Sequence, residues 1–190
     1  MEQSFLSSFS TGTDRKVFVY LAAQQVTAVE KGKLLRSFKV STGKRKTPTS
    51  EGNFYIYDRY RHKTMHSKDL RKGQPGYYLI EDVPYTQFFD GGMALHGAFW
   101  HNKFGRPVSH GCVNLSTRDM NKRWPNAAED AGWLYSWASL GVPVMVLRDD
   151  PEKRGSRKRT TADLAEPTSL LASTYRDHMR DVDAHSDRIR

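Results

Sequence analysis

Short runs of β-branched and aromatic residues, broken by turns rich in Gly, Pro and Asp, constrain the fold of this chain more than any other feature. Three such runs open it: Lys16–Ala22, Val26–Glu30 and Leu34–Val40. Gln24 lies in the first connection and Gly32 in the second. Runs of this composition are typical of strands, and connections this short favour antiparallel neighbours. We therefore predict that the domain begins with a β-meander.

The same pattern continues to about residue 148. Further predicted strands are Phe54–Tyr57, Tyr77–Ile80, Tyr85–Phe89, Met93–His96 and Val142–Leu147, and Asp130–Ala138 is a predicted helix. Residues 58–76 contain many Lys, Arg and His residues and few apolar ones, which indicates an exposed basic excursion. The predicted fold class is mainly β, a β-sandwich or mixed-sheet domain with one or two short helices.

Two segments flank this domain, which we place at residues 14–148. Residues 1–13 are an N-terminal extension, and residues 149–190 are a highly charged tail with few apolar residues, a composition that predicts disorder. No run approaches the length of about 18 apolar residues that is needed to cross a membrane, so no transmembrane segment is expected.

The formal net charge is +9, and it is unevenly distributed. Residues 149–190 hold nine basic and nine acidic residues, so the whole excess lies in residues 1–148. A basic field attracts polyanions, among them nucleic acid, anionic lipid and anionic wall polymers. The sequence contains no nucleic-acid-binding motif, and we expect no nucleic-acid partner.

Cys112 is the only cysteine in the chain, so it cannot form an intrachain disulfide or a multi-cysteine metal site. It lies in Ser109-His110-Gly111-Cys112-Val113-Asn114, downstream of Leu95-His96-Gly97. A single thiol among small and polar residues, with histidines nearby, is typical of an activated nucleophile. An imidazole within hydrogen-bond reach is the usual means of forming the thiolate near neutral pH. The alternative is that Cys112 is a small buried apolar residue and the histidines are incidental.

The order of these motifs resembles the L,D-transpeptidases, the YkuD-type family. The resemblance extends from about residue 14 to 148 and includes Val40-Ser41-Thr42-Gly43, Thr47-Pro48-Thr49, Gly52-Asn53-Phe54, Asp82-Val83-Pro84-Tyr85 and Phe89-Asp90-Gly91-Gly92. Any one of these motifs would be weak, but their combination is specific. The chain departs from the family pattern at residues 120–128, which have no equivalent in the family and which we interpret as an insert.

The resemblance implies an enzyme that cross-links peptidoglycan stem peptides through a cysteine acyl-enzyme, with a YkuD-like fold and no cofactor or metal. It implies Cys112 as the nucleophile, His96 as the general base and acid, and the Gly97 carbonyl as the group that orients His96. Backbone N–H groups around Gly111 would form the oxyanion hole. His110 would bind substrate, donate to the oxyanion or support the loop.

Four further residues are predicted to contact substrate: Tyr85, Trp100, Ser109 and Asn114. Trp100 belongs to an aromatic cluster between the two halves of the motif, where flat side chains could form a cleft wall. The resemblance also implies location in the cell envelope, in the periplasm or cell wall. Residues 1–10 lack the basic and then apolar pattern of a secretory signal, which departs from that expectation.

Several alternatives stay open at this point. If water rather than an amine takes the acyl group, the same residues make an L,D-carboxypeptidase, and another cysteine peptidase of the cell wall would share this chemistry. A metal site formed by His96, His101, His110 and Cys112 is compatible with the ligand types. A non-catalytic wall-binding module is the third class, and the presence of every expected catalytic residue argues against it.

Overall fold

In the computed structural model of this protein, the structure describes residues 14–67, 70–118 and 128–148. The predicted extension 1–13, the tail 149–190 and all but the last residue of the 120–128 insert lie outside these ranges. In chain order the described elements are β1 (Arg15–Tyr20), β2 (Gln25–Glu30), β3 (Lys33–Lys39), β4 (Gly52–Tyr55), β5 (Asp58–His66), β6 (Leu79–Asp90), β7 (Met93–Gly97), β8 (Val113–Leu115), α1 (Asp130–Trp137) and β9 (Pro143–Leu147).

The strands form two sheets, which confirms the predicted fold class. The first sheet has the order β3-β2-β1-β9-β4, and the second has the order β5-β6-β7-β8. β1, β2 and β3 pair antiparallel, so the predicted meander is confirmed. β1 also pairs with β9, and this pair is parallel, like β7 and β8 in the second sheet.

The core is formed by the facing sides of both sheets and by one side of α1. Val17, Val19 and Val26 come from the first sheet, Leu95 from the second and Leu134 from the helix, and none of these five side chains has exposed surface. Burying a side chain of this kind stabilises the fold by about 1.5–3 kcal/mol. Both sheets therefore depend on the same apolar layer.

Residues 58–66 form a strand within the stretch 58–76, which was predicted to be an exposed basic excursion. β5 pairs antiparallel with β6 along most of its length, with Asp58 opposite Phe88 and His66 opposite Leu79. Met65 is buried with Val83, and the Arg59 guanidinium lies over the ring of Tyr135. Several residues of β5 and all of residues 70–76 are exposed, as predicted. The strand itself was not predicted, because its backbone hydrogen bonds depend on the long neighbouring strand β6.

β6 also differs from the prediction, which had two strands separated at Asp82-Val83-Pro84. It is one strand of 12 residues, in which Asp82 and Tyr85 adopt positive φ angles of 57° and 58°. The helix prediction is confirmed within one residue, since α1 spans Asp130–Trp137. In the part of the chain that the structure describes, no helix is both long and apolar enough to cross a membrane.

Candidate active site

The parallel pair β7–β8 sets the position of the predicted catalytic residues. Its register places His96 opposite Asn114 and Leu95 opposite Val113. Cys112 comes directly before β8 and two residues before Asn114, and both side chains line the same pocket. A pocket of about 150 Å³ is lined by six of the predicted site residues, His96, Trp100, Ser109, His110, Cys112 and Asn114, and by Met65, Tyr78, His101 and Val108.

His96 is buried, with 3% of its surface exposed, and one ring nitrogen has a fixed partner. Nδ1 lies 3.0 Å from the carbonyl oxygen of Gly97. A carbonyl oxygen can only accept, so Nδ1 carries the proton and Nε2 of the neutral ring has a free lone pair. Trp100 stacks on the imidazole with ring centroids 5.8 Å apart. The ring is therefore held in the tautomer that a general base requires.

Burial keeps both His96 and Cys112 neutral at pH 7. It lowers the pKa of His96 to about 4, against the opposing effect of the Gly97 carbonyl. It raises the pKa of the half-buried Cys112 thiol to about 11, against a hydrogen bond from the Ala94 backbone. The sequence predicts a thiolate formed by a neighbouring imidazole, and the structure differs because desolvation disfavours both charges. Deprotonation of Cys112 must therefore accompany attack on a substrate.

Ser109 and Gly111 shape the loop that presents the thiol. Ser109 Oγ donates to the Cys112 carbonyl oxygen at 2.5 Å and accepts the Gly111 N–H at 3.1 Å. Gly111 has a φ of 123°, which residues with a side chain rarely adopt. The Gly111 N–H must leave Ser109 before it can donate to an oxyanion. The oxyanion role of Gly111 stays a prediction.

Residues 41–49 contact the loop that carries Cys112 through backbone bridges and hydrogen bonds. The sequence did not predict this supporting function. Isolated bridges join Ser41 to Asn114 and Gly43 to Ser109. Thr49 Oγ1 donates to the Gly111 carbonyl oxygen at 2.7 Å and accepts the Gly43 N–H at 2.9 Å. The motif Ser41-Thr42-Gly43 with Thr47-Pro48-Thr49 was visible in the sequence. Only the fold brings it against the thiol loop.

His110 lies at the mouth of the pocket and is exposed. Its ring stacks on Tyr78 with centroids 5.4 Å apart, and Nε2 lies 3.0 Å from Lys44 Nζ. An ammonium group only donates, so Nε2 accepts and the ring is neutral. Partial burial and the Lys44 charge lower the pKa of His110 accordingly. This placement fits contact with substrate rather than activation of the thiol.

Tyr85 does not lie with the other predicted site residues. Its ring packs against Tyr135 of α1 at 5.7 Å, and the Arg61 guanidinium lies over it at 5.6 Å. It lines a separate pocket with Arg36 and Trp133. The sequence motif placed Tyr85 near the thiol because it could not show on which side of β6 the ring projects.

The alternative of a metal site concerns His96, His101, His110 and Cys112. Over residues 14–67, 70–118 and 128–148, no group of three or more His, Cys, Asp and Glu side chains is arranged to hold a metal ion. His96 Nδ1 is bonded to Gly97, and His110 Nε2 to Lys44. One ring nitrogen of each of these two histidines therefore has a protein partner.

The burial of His96 and Cys112 predicts a stability maximum between about pH 6.5 and 9. Below pH 6.5 the unfolded chain protonates His96 before the folded chain does, so the free energy of unfolding falls by about 3 kcal/mol as the pH approaches 4. Above pH 9 the unfolded chain releases the Cys112 proton first, and stability falls again as the pH approaches 11. Urea unfolding across pH measures both limbs. His96→Gln should flatten the acid limb, and an unchanged acid limb in that variant would contradict the assignment.

Comparisons with known proteins identify the family of this chain. The sequence model of the YkuD family, described as the L,D-transpeptidase catalytic domain, matches residues 14–146. L,D-transpeptidase 1 of Mycobacterium tuberculosis is 27% identical over 150 residues, which cover 76% of this chain and 55% of that protein. L,D-transpeptidase 2 of the same species is 30% identical over 120 residues, which cover 61% of this chain and 27% of that protein.

Two solved structures have the same fold as this chain. A structure of the L,D-transpeptidase LdtMt1 in complex with imipenem superimposes with a TM-score of 0.63 at 26% identity. An L,D-transpeptidase from Mycobacterium smegmatis superimposes with a TM-score of 0.61 at 28% identity. Each match covers 71% of this chain and 59% of the solved chain. The chain thus spans little more than half the length of L,D-transpeptidase 1 and of these two solved chains.

Proposed function

The chain belongs to the YkuD family of L,D-transpeptidase catalytic domains, and from this premise we propose that it is a peptidoglycan L,D-transpeptidase that acts through an acyl-enzyme on Cys112. The observation that carries the proposal is the His96 tautomer. His96 Nδ1 donates to the Gly97 carbonyl oxygen, so Nε2 carries no proton and can accept one. His96 and Cys112 line the same pocket. This is the arrangement that acyl transfer by a cysteine requires.

In the proposed first half-reaction, Cys112 Sγ attacks the carbonyl carbon of the L,D peptide bond in a donor stem peptide. His96 Nε2 takes the thiol proton as the C–S bond forms. The tetrahedral intermediate collapses when His96 returns that proton to the nitrogen of the terminal D-Ala, which leaves as the free amine. The product is a thioester on Cys112, and the imidazole is neutral again.

In the second half-reaction, an amine of a neighbouring stem peptide attacks the thioester. His96 Nε2 takes a proton from the attacking nitrogen and delivers it to the departing Cys112 sulfur. The new amide bond is the cross-link, and breaking of the C–S bond regenerates the free thiol for another cycle. If water replaces the amine, the same steps hydrolyse the thioester and release a shortened stem peptide, which is the L,D-carboxypeptidase alternative.

The low pKa of His96 and the high pKa of Cys112 describe the chain before substrate binds, when burial disfavours both charged forms. A neutral thiol and a neutral imidazole avoid a charged pair in a buried pocket before substrate arrives. The neutral His110 and Tyr78 at the mouth present flat rings and donors to a peptide. The basic excess of the domain also fits anionic partners in the cell envelope, where we place the reaction.

Incubation of the full chain with a carbapenem, followed by intact-protein mass spectrometry, tests the nucleophile. We expect the mass to increase by one drug molecule in the wild-type chain and to stay unchanged in Cys112→Ser. Serine keeps the shape of the side chain but replaces the thiol. A folded wild-type chain that gains no mass, or a serine variant that gains it equally, would contradict the proposal.

Incubation with purified disaccharide-tetrapeptide then separates the two outcomes of the thioester. Cross-linked dimers with release of D-Ala are expected for a transpeptidase. Shortened monomers alone would assign the L,D-carboxypeptidase activity instead.

A further inference from the structure

A second pocket, of about 410 Å³, has no role in the proposed mechanism. It shares no lining residue with the pocket that holds Cys112. Its walls come from β3, β5, β6, α1 and the segment that follows β8. Among the described residues that line it, three are arginines, Arg36, Arg61 and Arg118, and one is acidic, Glu129. We call it the arginine pocket.

Two of the three guanidinium groups have carboxylate partners that leave donors free. Arg36 is ion-paired with Asp130 at 3.0 Å, and its guanidinium lies 5.2 Å from the centre of a Trp133 ring. Arg118 is exposed, and its Nε lies 3.7 Å from Glu129 Oε2. A guanidinium group has more N–H donors than these single contacts use. Both arginines can therefore still donate to a ligand.

Arg61 has no carboxylate within ion-pairing distance in the part of the chain that the structure describes. Its side chain is exposed, and its guanidinium lies 5.6 Å from the centre of the Tyr85 ring. Tyr85 has a φ of 58°, a left-handed conformation that is rare for a bulky residue. Backbone conformations of this kind cluster at ligand sites, where the surrounding structure maintains them. The strained residue thus supports a cation that faces the pocket.

The acidic residue of the lining is held against the wall of the pocket. Glu129 Oε2 accepts the Arg118 backbone N–H at 2.7 Å, and Oε1 lies 3.5 Å from Thr117 Oγ1. Three arginines and one glutamate give the described lining a formal charge of +2, or +1 if Asp130 behind Arg36 is counted. A cavity with this charge attracts anions.

The arrangement favours a phosphate group over a carboxylate. One guanidinium group binds a planar carboxylate through two parallel N–H donors, so a single arginine is enough. A phosphate monoester presents oxygens in three directions and carries a charge of about −1.5 to −2 near pH 7. Guanidinium groups that come from β3, β5 and the segment after β8 match this shape and charge. We infer that the arginine pocket binds a phosphate group, either free or esterified to a small polyol or sugar.

Isothermal titration calorimetry of the full chain at pH 7.5 tests the ligand class with three probes: glycerol 3-phosphate, inorganic phosphate and glycerate. Glycerate is a small polyol with a carboxylate in place of the phosphate. We expect one phosphate site per chain and about tenfold weaker binding of glycerate. Equal affinity for both phosphate compounds would identify free phosphate as the ligand, and tighter binding of the ester would identify a phosphate ester. Glycerate that binds as tightly as the phosphates, or no binding of either phosphate at millimolar concentration, overturns the inference.

Substitution of the exposed arginines locates the site. Arg61→Gln and Arg118→Gln should each weaken glycerol 3-phosphate binding on the order of tenfold, because each removes a charge-assisted hydrogen bond. Arg61→Lys keeps the charge without the planar fork and should recover only part of the loss. Arg71→Gln is the matched control, since Arg71 is an exposed arginine that does not line the pocket. It should bind as the wild-type chain does, and an equal loss in this control would mean non-specific attraction and overturn the inference.

A further variant separates the arginine pocket from the mouth of the thiol pocket. Lys44 Nζ lies beside His110 there and is the cation that a phosphate would contact at that mouth. Lys44→Gln should therefore keep the wild-type affinity for glycerol 3-phosphate. Loss of binding in Lys44→Gln, with retention in Arg61→Gln, would place the phosphate beside the thiol and overturn the inference.

Discussion

Replacing His96 with glutamine is expected to slow carbapenem acylation of Cys112 by 100-fold or more at pH 7. The thiol has a pKa of about 11, so almost none of it is ionised at that pH. Attack therefore needs a base that removes the proton during C–S bond formation, and loss of a general base costs about 100- to 10,000-fold. Stopped-flow or time-resolved mass spectrometry measures the acylation rate.

The pKa values also predict how a small alkylating agent reacts with the same variant. Burial, rather than His96, raises the thiol pKa, so the rate of iodoacetamide alkylation should rise about tenfold per pH unit up to about pH 10 in both chains. His62→Gln is a matched control, because His62 is half-exposed, does not line the pocket that holds Cys112, and places its Nδ1 2.9 Å from Asp82 Oδ1. It should acylate at the wild-type rate. If alkylation and acylation fell together in His96→Gln, a thiolate–imidazolium pair would exist in the free enzyme.

Replacing Gly43 with alanine is expected to lower the free energy of unfolding by about 3 kcal/mol or more and to slow acylation on the order of 100-fold. An added Cβ would lie 2.2 Å from the Thr47 carbonyl oxygen and 2.6 Å from the Thr49 nitrogen. Both are backbone atoms, which cannot rotate away as a side chain can. The displaced Thr49 would release the Gly111 carbonyl and, with it, the loop that presents Cys112.

Two further variants make this prediction specific. Gly92→Ala is the control for stability, since no heavy atom lies within 4 Å of its added Cβ. It should unfold at the same urea concentration as the wild-type chain. Thr49→Val removes the hydroxyl without a clash, so it should slow acylation with a smaller loss of stability. If Gly43→Ala matched Gly92→Ala in both measurements, the segment 41–49 would not support the thiol loop.

Local features of the sequence were enough for the strand pattern, the helix and part of the site. The first three strands and α1 follow from short-range composition, because a strand or helix face shows in residues close together in the chain. The orientation of His96 was also accessible, because its partner is the carbonyl of the next residue, Gly97. The order of motifs then pointed to the family that the comparisons establish.

Only the tertiary structure decided the features that depend on distant segments. β5 is a strand because β6 pairs with it, and Tyr85 faces Tyr135 rather than the thiol because α1 packs on β6. The contacts of the Gly111 loop with Thr49, 62 residues away in the chain, exist only in the folded domain. The pKa values of His96 and Cys112 are also properties of the fold, because desolvation is the sum of all the atoms packed around a group. A sequence names the neighbours of a residue along the chain, and the packed structure determines how much water reaches it.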